Sequence, residues 1–305
     1  MVLPCYGLMC FHIGVTDMSV LLQRIGEVGL AVDTVDPATG GVVALAGMAV
    51  LNDGSRVFAK TVKIADSDIF EVEAEGLRSL RDQGGVNTPR VLKVTPRLLV
   101  LEPLRHIPGG VQFWEQLGRM VAHLHATTVS DYFGWHRDGW LGRLRQDNTR
   151  DADGYSFFAQ RRILRWLSEP LVEETFDSAD RRAIERLCER LPELVPDAPP
   201  AMTHGDLWSG NIMATLDGGP ALIDPAVSFS WPEADLSMLY CSPRPPESDR
   251  FFDAYHAAVG LREGWAERMP IYHLREVLSV IAHDDDDWGA AAAVRTVIAP
   301  FRRSA

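Results

Sequence analysis

The sequence contains 305 residues, of which 46% are hydrophobic and 24% are charged, and its formal net charge at pH 7 is -12. This length predicts about two structural units with separate cores, and the composition argues against disorder and against a membrane protein. No apolar run approaches the roughly 18 residues that a membrane span requires. The excess of acidic residues argues against a nucleic-acid backbone as a partner. We therefore expect a globular protein that binds neither membranes nor nucleic acids.

The cysteines and the N-terminal residues bear on the location of the protein. Its four cysteines show neither the C-x-x-C spacing of redox motifs nor the spacing of zinc sites, so we expect reduced, mostly buried thiols in a cytoplasmic protein. Residues 1–17 lack the basic segment and the cleavage site of a signal peptide. They are predicted to be an extension outside the fold, and translation could start at Met1 or at Met18.

The chain then predicts a helix followed by two strands. Ser19 is expected to cap a helix that ends near Gly29, with apolar residues on one side: Val20, Leu21, Ile25 and Val28. Residues 35–45 predict a strand, a turn at Gly40 and Gly41, and a second strand. Paired glycines usually form a plain hairpin turn, but they also let backbone amides approach phosphate groups closely. Both roles are open at this stage.

A second hairpin, over residues 50–60, contains an Asp-Gly turn and ends on Lys60. A lysine at a strand end is often simply solvated, as we expect Lys63 to be. The next segment predicts a helix because apolar residues recur at helical spacing, at Phe70, Ala74, Leu77 and Leu80. Three glutamates lie between them and are candidate partners for Lys60: Glu71, Glu73 and Glu75.

The rest of the chain predicts two more strands and then mostly helices. The strands are expected at 90–94 and 97–102, the second with the unbroken apolar run typical of a buried strand. Helices are expected near 113–125, 155–166, 179–191, 248–259, 269–282 and 290–301. His123 and His125 are expected to be helix-end or core residues. His283 and the four aspartates after it predict a solvated loop, because neighbouring like charges repel.

One stretch contains the residues that a phosphoryl-transfer site needs. Residues 203–211 are Thr-His-Gly-Asp-Leu-Trp-Ser-Gly-Asn, and Asp224 follows Asn211 by thirteen positions in the segment Asp-Pro-Ala. Asp206 can take the proton of an attacking hydroxyl, while an amide oxygen and a second carboxylate can hold Mg²⁺ on the phosphates. Residues 212–223 predict a hairpin that returns Asp224 to the side of Asn211. The spacing equals that of the protein-kinase catalytic loop and its metal-binding Asp.

The string His-Gly-Asp-Leu-Trp-Ser-Gly-Asn with the later Asp-Pro-Ala resembles the fructosamine kinase (ketosamine 3-kinase) family, a branch near the aminoglycoside phosphotransferases. Other segments match this family too: Phe133-Gly134-Trp135, the Phe-Phe and Arg-Arg pairs of 157–162, and Glu233–Leu236. The resemblance implies an α+β, protein-kinase-like fold with two lobes. Residues 18–104 would form a nucleotide-binding lobe of antiparallel sheet with one main helix. Residues 105–305 would form a larger helical lobe.

In the N-terminal lobe, the resemblance implies that ATP binds to a small set of residues. Lys60 is expected to contact the α- and β-phosphates and to pair with Glu73, with Glu71 as the fallback. Gly40 and Gly41 are expected to cover the phosphates.

The lobe is expected to end in a hinge at Glu102-Pro103-Leu104, which would bind the adenine through backbone groups. Because Pro103 has no N–H, the contacts should come from the Glu102 carbonyl and the Leu104 N–H.

In the C-terminal lobe, the resemblance and the motif together imply the chemical roles. Asp206 is expected to be the catalytic base, and Asn211 and Asp224 the Mg²⁺ ligands. His204 is expected to be a scaffold residue of the loop. Asp235 is expected to accept hydrogen bonds from the backbone of the same loop.

Two tryptophans are candidates for acceptor binding. Trp208, two residues after the base, is expected to flank the acceptor pocket, with packing of the catalytic loop as the alternative. Trp135 is expected beside the acceptor, with a plain aromatic lid as the alternative.

The function implied by the resemblance is ATP- and Mg²⁺-dependent phosphorylation of the 3-hydroxyl of ketosamines, a deglycation step acting on free or protein-bound sugar–amine adducts. The first alternative is a kinase of the aminoglycoside or choline type, which shares H-G-D-x-x-x-x-N but usually lacks the Trp two positions after the Asp. The second is a nucleotide-binding pseudokinase scaffold. Such a protein would normally have lost Lys60, Asp206 or Asp224, and this sequence contains all three.

Overall fold

The structure is a computed structural model that describes residues 15–38, 44–62, 67–286 and 288–302. Contacts divide the chain into two compact units. The first comprises the described residues as far as Glu75 together with Pro89–Leu104, and the second comprises Gly76–Thr88 and the chain from Arg105 onward. The first unit is built on a sheet and the second is mostly helical, so the predicted α+β class is confirmed.

The first unit contains a five-stranded antiparallel sheet. Its strands are β1 Val32–Pro37, β2 Leu45–Leu51, β3 Arg56–Thr61, β4 Val91–Thr95 and β5 Leu98–Leu101, in the order β1-β2-β3-β5-β4. The predicted Asp-Gly turn joins β2 to β3, with Gly54 at φ 83°, a value that glycine adopts without strain. All four residues of β5 are buried between β3 and β4, as the apolar run predicted.

Two helices begin in this unit: α1 Val15–Glu27 and α2 Ile69–Asp82, and the residues of α2 from Gly76 onward belong to the second unit. Leu21 and Ile25 of α1 are fully buried against apolar residues of the sheet. The prediction that Ser19 caps this helix was wrong, because α1 begins at Val15 and so includes residues 15–17. A capping residue lies immediately before the first helical residue, whereas Ser19 lies inside the helix. In α2, the four apolar residues that predicted the helix are all buried.

The second unit consists of nine helices and three two-stranded antiparallel ladders within the described residues. The helices are α3 Val111–Thr127, α4 Gly154–Phe158, α5 Pro170–Thr175, α6 Ser178–Glu189, α7 Leu191–Leu194, α8 Pro232–Cys241, α9 Asp249–Val259, α10 Trp265–Ala282 and α11 Ala290–Ile298. The ladders pair β6 Gly139–Leu141 with β7 Leu144–Gln146, β8 Ala201–Thr203 with β11 Ser228–Ser230, and β9 Ile212–Ala214 with β10 Pro220–Leu222. Its core contains many aromatic side chains among the aliphatic ones, and Trp114, Phe157, Trp231 and Phe251 are almost inaccessible to solvent. None of the helices described is both long and apolar enough to cross a bilayer.

Two predicted elements of the second unit differ in detail. The helix expected over 155–166 ends at Phe158 and continues as a π-helical turn, Ala159–Ile163, a form that is frequent near functional sites. The loop expected at 283–287 is solvated only in part. His283 is buried, with Nδ1 donating to the Ser279 carbonyl (2.7 Å) and Nε2 accepting from the Arg143 N–H (2.9 Å). Asp286 caps α11 by accepting from the backbone N–H groups of residues 289 and 290.

The two cysteines in the described part of the chain are free thiols. Cys188 is buried, Cys241 is half-buried, and burial raises the pKa of each thiol to about 12. Such thiols are inert at neutral pH, because the thiolate is the reactive form. The prediction of reduced thiols is confirmed for these two, whereas Cys5 and Cys10 lie outside the described residues.

Candidate active site

The catalytic loop of the second unit lies directly against the Asp-Pro-Ala segment. The loop leaves β8 at Thr203, which pairs with Ser228 of β11. Gly205 has φ 79°, and a side chain there would collide with the carbonyl oxygen of Ala226. The Ala226 N–H donates to the His204 carbonyl at 2.8 Å. A glycine at 205 therefore lets the two segments pack backbone to backbone.

Asp235, near the start of α8, fixes the path of the loop. Its carboxylate accepts from the backbone N–H groups of His204 and Gly205, both at 2.8 Å, as predicted. The Nε2 atom of His125 lies 3.2 Å from the same carboxylate, and the Nδ1 atom lies 2.9 Å from the Tyr255 hydroxyl. Burial alone would raise the pKa of the Asp235 carboxyl, but the His125 hydrogen bond and the backbone N–H groups outweigh it and lower the pKa.

His204 is fully buried and its ring joins the loop to the strand that precedes Asp224. Its Nδ1 atom accepts from the Asp206 N–H (3.2 Å), and its Nε2 atom lies 2.9 Å from the Ile223 carbonyl. Because Nδ1 accepts, Nε2 carries the proton and donates to that carbonyl. Burial lowers the pKa of this imidazole, which favours the neutral form. The contacts are those of a scaffold residue.

Asn211 orients the carboxylate of Asp206. Its Nδ2 donates to Asp206 Oδ2 at 2.6 Å and to the Asp206 carbonyl at 2.9 Å, so both amide hydrogens are used. Neither Asn211 Oδ1 nor Asp206 Oδ1 takes part in a hydrogen bond with the described residues. One amide oxygen and one carboxylate oxygen are thus available for other partners.

Asp224 follows β10 and is half-buried, with φ 53°, a left-handed conformation that is uncommon outside glycine. Burial raises the pKa of the Asp206 carboxyl well above its usual value, and the charges of Glu276 and Asp224 act in the same direction. Carboxylate and amide oxygens are the ligands that Mg²⁺ prefers. Asn211 Oδ1 and the Asp224 carboxylate therefore fit the predicted ion chemically, and its positive charge would offset the repulsion between the acids.

Trp208 is the exposed aromatic residue of the catalytic loop. Its side chain is 41% exposed, and a side chain at Gly210 would collide with the indole ring. The ring therefore lies on bare backbone of its own loop and keeps much of its surface open to solvent. This exposure favours the predicted acceptor contact over packing in a core.

Trp135 has a different environment. It is half-buried and packs on Phe229 of β11, with ring centroids 5.0 Å apart. The preceding Gly134, at φ 96°, exchanges two backbone hydrogen bonds with the same Phe229 (2.9 and 2.8 Å). The Phe133–Trp135 segment thus extends the β8–β11 ladder, and the acceptor role of Trp135 stays a prediction.

The first unit positions the predicted phosphate-binding lysine with an ion pair. Lys60 Nζ in β3 lies 2.9 Å from Glu73 Oε1 in α2, and their side chains are only 9% and 13% exposed. The pairing with Glu73 rather than Glu71 is therefore confirmed. At the predicted hinge, the Leu104 N–H donates no hydrogen bond within the described residues. Gly40, Gly41 and Lys63 lie outside the described residues.

Two charged residues near the catalytic loop were not predicted from the sequence. Arg275 and Glu276 of α10 line a cavity of about 20 Å³ beside Gly205 and Asp235, a space large enough for about one water molecule. Glu276 Oε2 is buried and has no hydrogen-bond partner among the described residues, and burial raises the pKa of this carboxyl. The sequence did contain a signal for these two residues, because they form a charged pair inside the otherwise largely apolar stretch from Ile271 to Ala282.

Comparison with known proteins identifies the family. A family model described as fructosamine kinase matches residues 15–294. A protein of Enterococcus faecium named as a probable ketoamine kinase is 33% identical over 227 residues, which cover 72% of this chain and 79% of that protein. The chloroplastic protein-ribulosamine 3-kinase of Oryza sativa subsp. indica is 31% identical over 237 residues, 74% of this chain and 67% of that protein.

Solved structures agree with these matches. A protein of Thermobifida fusca, provisionally described as a fructosamine-3-kinase, has a crystal structure with a TM-score of 0.80 and 32% identity, covering 95% of this chain and 98% of that one. A choline kinase from Streptococcus pneumoniae, 15% identical with a TM-score of 0.60, shares the fold alone. The predicted protein-kinase-like fold is confirmed. The chain belongs to the fructosamine kinase family.

Proposed function

We propose that this protein transfers the γ-phosphate of ATP to the 3-hydroxyl of ketosamines, the adducts of sugars on amines, and so begins their removal. The observation that carries the proposal is the Asp206–Asn211 pair, which leaves one carboxylate oxygen and one amide oxygen without a hydrogen-bond partner among the described residues. The family supports the acceptor class, since its relatives are named for ketoamines, ribulosamines and fructosamines.

Asp206 is the proposed general base. Asn211 holds Oδ2, so Oδ1 is the oxygen that we assign to the acceptor hydroxyl. As the hydroxyl oxygen attacks the γ-phosphorus, its proton passes to Asp206 Oδ1, and the bond from phosphorus to the bridging oxygen of ADP breaks. A carboxylate whose pKa is raised accepts a proton more readily than an ordinary one.

The metal and nucleotide roles follow from the remaining residues. Asn211 Oδ1 and Asp224 would hold Mg²⁺, which when bound neutralises charge on the phosphates. In the first unit, Lys60 would contact the α- and β-phosphates while Glu73 keeps its ammonium group in place.

Backbone groups of the first unit are proposed to contact the adenine base and the outer phosphates of the nucleotide. Gly40 and Gly41 are proposed to cover the phosphates. The Glu102 carbonyl and the Leu104 N–H, on either side of Pro103, are proposed to bind the adenine.

Acceptor selection is assigned to aromatic residues. The exposed face of Trp208 can cover the apolar side of a sugar while its indole N–H contacts a polar group, and Trp135 is a second candidate. The proposed acceptors include both free and protein-bound adducts, and we propose a cytoplasmic location. Of the relatives named above, the Enterococcus faecium protein is a bacterial protein named as a probable ketoamine kinase, and the rice protein is described as chloroplastic.

A phosphate-transfer screen tests the proposal. Ribuloselysine, fructoselysine, kanamycin and choline would each be incubated with ATP–Mg²⁺, and the phosphorylated carbon located by NMR. We expect transfer to the 3-hydroxyl of at least one ketosamine and none with the Asp206→Asn variant. Transfer to kanamycin or choline alone would replace the proposal with the aminoglycoside- or choline-type alternative. Nucleotide binding without transfer to any acceptor would indicate a scaffold.

A further inference from the structure

A buried glutamine connects the two segments that carry the acids. Gln146, the last residue of β7, is 3% exposed. Its Nε2 donates to the Ala226 carbonyl and to Asn148 Oδ1, both at 3.2 Å, and its Oε1 accepts from Arg275 Nη2. Ala226 is two residues after Asp224. The amide of Gln146 therefore holds the backbone of the Asp-Pro-Ala segment on one side and a buried guanidinium on the other.

Arg275 extends this connection to the catalytic loop. It is 8% exposed, and its Nη1 donates to the Gly205 carbonyl at 2.7 Å, immediately before Asp206. Burial is the main factor that lowers the pKa of this guanidinium, whereas the charges of Glu276, Asp206 and Asp235 favour its protonated form. A guanidinium that donates in two directions is suited to joining two acceptors at a fixed distance.

The far end of the connection is also anchored. Arg162, in the π-helical turn and 3% exposed, donates from Nη2 to Asn148 Oδ1 (2.7 Å) and to the Ser228 hydroxyl (3.1 Å), and from Nη1 to the Asp147 carbonyl (2.6 Å). Gln146 thus belongs to a buried polar network whose members hold one another. Such a network defines one geometry when its groups are satisfied.

We propose that Gln146, held by Arg275, is a positioning residue that sets the placement of Asp206 relative to Asp224. The inference rests on the roles proposed for those two acids. Neither Gln146 nor Arg275 needs to touch a substrate. Each contacts the backbone beside an acid, so losing either would let the catalytic loop and the Asp-Pro-Ala segment shift by fractions of an ångström, enough to lower the rate of a reaction that depends on orientation.

The test compares Gln146→Met with a matched control, Asp180→Asn. Asp180 of α6 is also buried and polar, at 1% exposure, but its carboxylate accepts from Arg295 and Arg302, and no hydrogen bond in the described part of the chain joins any of the three to the loop. Gln146→Met is expected to lower kcat about 30-fold with little change in KM for the acceptor, and to raise the Mg²⁺ concentration for half-maximal activity several-fold. Asp180→Asn is expected to lower Tm without lowering kcat.

Two more variants separate positioning from stability. Gln146→Glu keeps the acceptor for Arg275 but loses the donor to Ala226, so its kcat should be as low as that of Gln146→Met. The double variant Gln146→Met with Arg275→Met should be little worse than the more damaging single one, because both act through one chain of hydrogen bonds. The inference would be overturned if the loss in kcat of the double variant equalled the product of the two single losses, or if Gln146→Met had a normal kcat.

A readout without an acceptor keeps this test independent of the proposed function. In the free protein, the Ala226 N–H, which donates to His204, should exchange with solvent faster in Gln146→Met than in Asp180→Asn. Calorimetry should also show weaker Mg²⁺–ATP binding in Gln146→Met only. If the wild-type protein phosphorylates no ketosamine, the proposed function fails. The positioning role is refuted by a different result, namely that Gln146→Met leaves both the Ala226 N–H exchange and the Mg²⁺–ATP binding unchanged.

Discussion

The two units hold their chemically important side chains in different ways. In the first unit, one ion pair between Lys60 and Glu73 places the charged group, and both partners are side chains that lie close together. In the second unit, Asn211 orients the carboxylate of Asp206, but the main chain beside Asp206 and Asp224 is itself held. Asp235 and the Gln146–Arg275 pair hold it through backbone contacts.

This difference predicts different responses to mutation. A substitution of Lys60 or Glu73 in the first unit removes one charge of a buried ion pair, so the effect is local. A substitution of a supporting residue in the second unit leaves the acids in the molecule but shifts them, so kcat should fall and Mg²⁺–ATP binding should weaken while acceptor binding persists. Substitution of an acid itself combines both effects and should be the most damaging change.

The largest effect is expected from Asp224→Ala. If Asp224 and Asn211 supply the protein ligands of Mg²⁺, kcat should fall by at least about 1,000-fold, equivalent to roughly 4 kcal/mol. Asp224→Asn is a useful companion, because Asn tolerates the left-handed backbone at φ 53° better than Ala does, and so separates loss of charge from backbone strain. Near-normal kcat with an unchanged Mg²⁺ requirement in both variants would contradict the assignment.

Lys60→Met should have the next largest effect. The pair with Glu73 is mostly buried, and removing one partner of a buried pair costs on the order of 3–5 kcal/mol. We expect kcat/KM for ATP to fall about 100-fold or more. Lys93→Met is the control, since Lys93 lies in β4 of the same sheet and is exposed. Equal losses in the two variants would show that the lysine at position 60 has no special role.

A buried histidine in the second unit should make stability depend on pH. Burial, reinforced by the charge of Arg275, lowers the pKa of His273 from an ordinary 6.5 to about 4 in the folded state. Its Nδ1 has no hydrogen-bond partner in the part of the chain that the structure describes. Between these two values the unfolded chain binds the proton and the folded chain does not. Stability is therefore complete above about pH 6.5 and is lost as the pH falls toward 4, by up to about 3 kcal/mol.

His273→Gln should reduce this dependence. The difference in urea midpoint between pH 7 and pH 5 is expected to be smaller in His273→Gln than in the wild type. The control His106→Gln, at an exposed position, should leave the difference unchanged. Comparing the same pH interval cancels contributions from other groups, among them Asp206 and Glu276, whose raised pKa values act in the opposite direction. An identical pH response in wild type and His273→Gln would contradict the prediction.

The sequence predicted the features that depend on a short sequence motif or on a regular spacing of hydrophobic residues. The strands and most helices followed from hydrophobic spacing, the Lys60–Glu73 pair followed from the family pattern, and the contact of Asp235 with the catalytic loop lies in a recognisable motif. The Lys60–Glu73 pair and the Asp235 contact both involve residues whose neighbours in sequence already limit where they can lie in the fold.

The features that were missed depend on contacts between distant positions. Gln146 and Arg275 are 129 residues apart, and a polar residue in a strand or helix usually faces solvent, so neither stood out. His283 was missed for the same reason, because its partner Arg143 is 140 residues away. The pairing of buried polar groups is decided by tertiary packing, so even a charged pair inside an apolar helix, such as residues 275 and 276, does not indicate its distant partners.

The smallest effect is expected from Trp208→Leu, which tests whether this exposed ring selects the acceptor. The ring lies over Gly210 and is 41% exposed, so its removal leaves no cavity in a core and should change Tm by no more than a few degrees. It should raise KM for a ketosamine about 10-fold, equivalent to roughly 1.4 kcal/mol, with KM for ATP unchanged. Asp206→Asn provides the contrast, because it should lower kcat and leave binding of both substrates largely in place. If Trp208→Leu instead lowers Tm strongly and weakens both substrates alike, the ring packs the loop, and the acceptor must be selected elsewhere. Together these two variants separate recognition from chemistry within three residues of one loop.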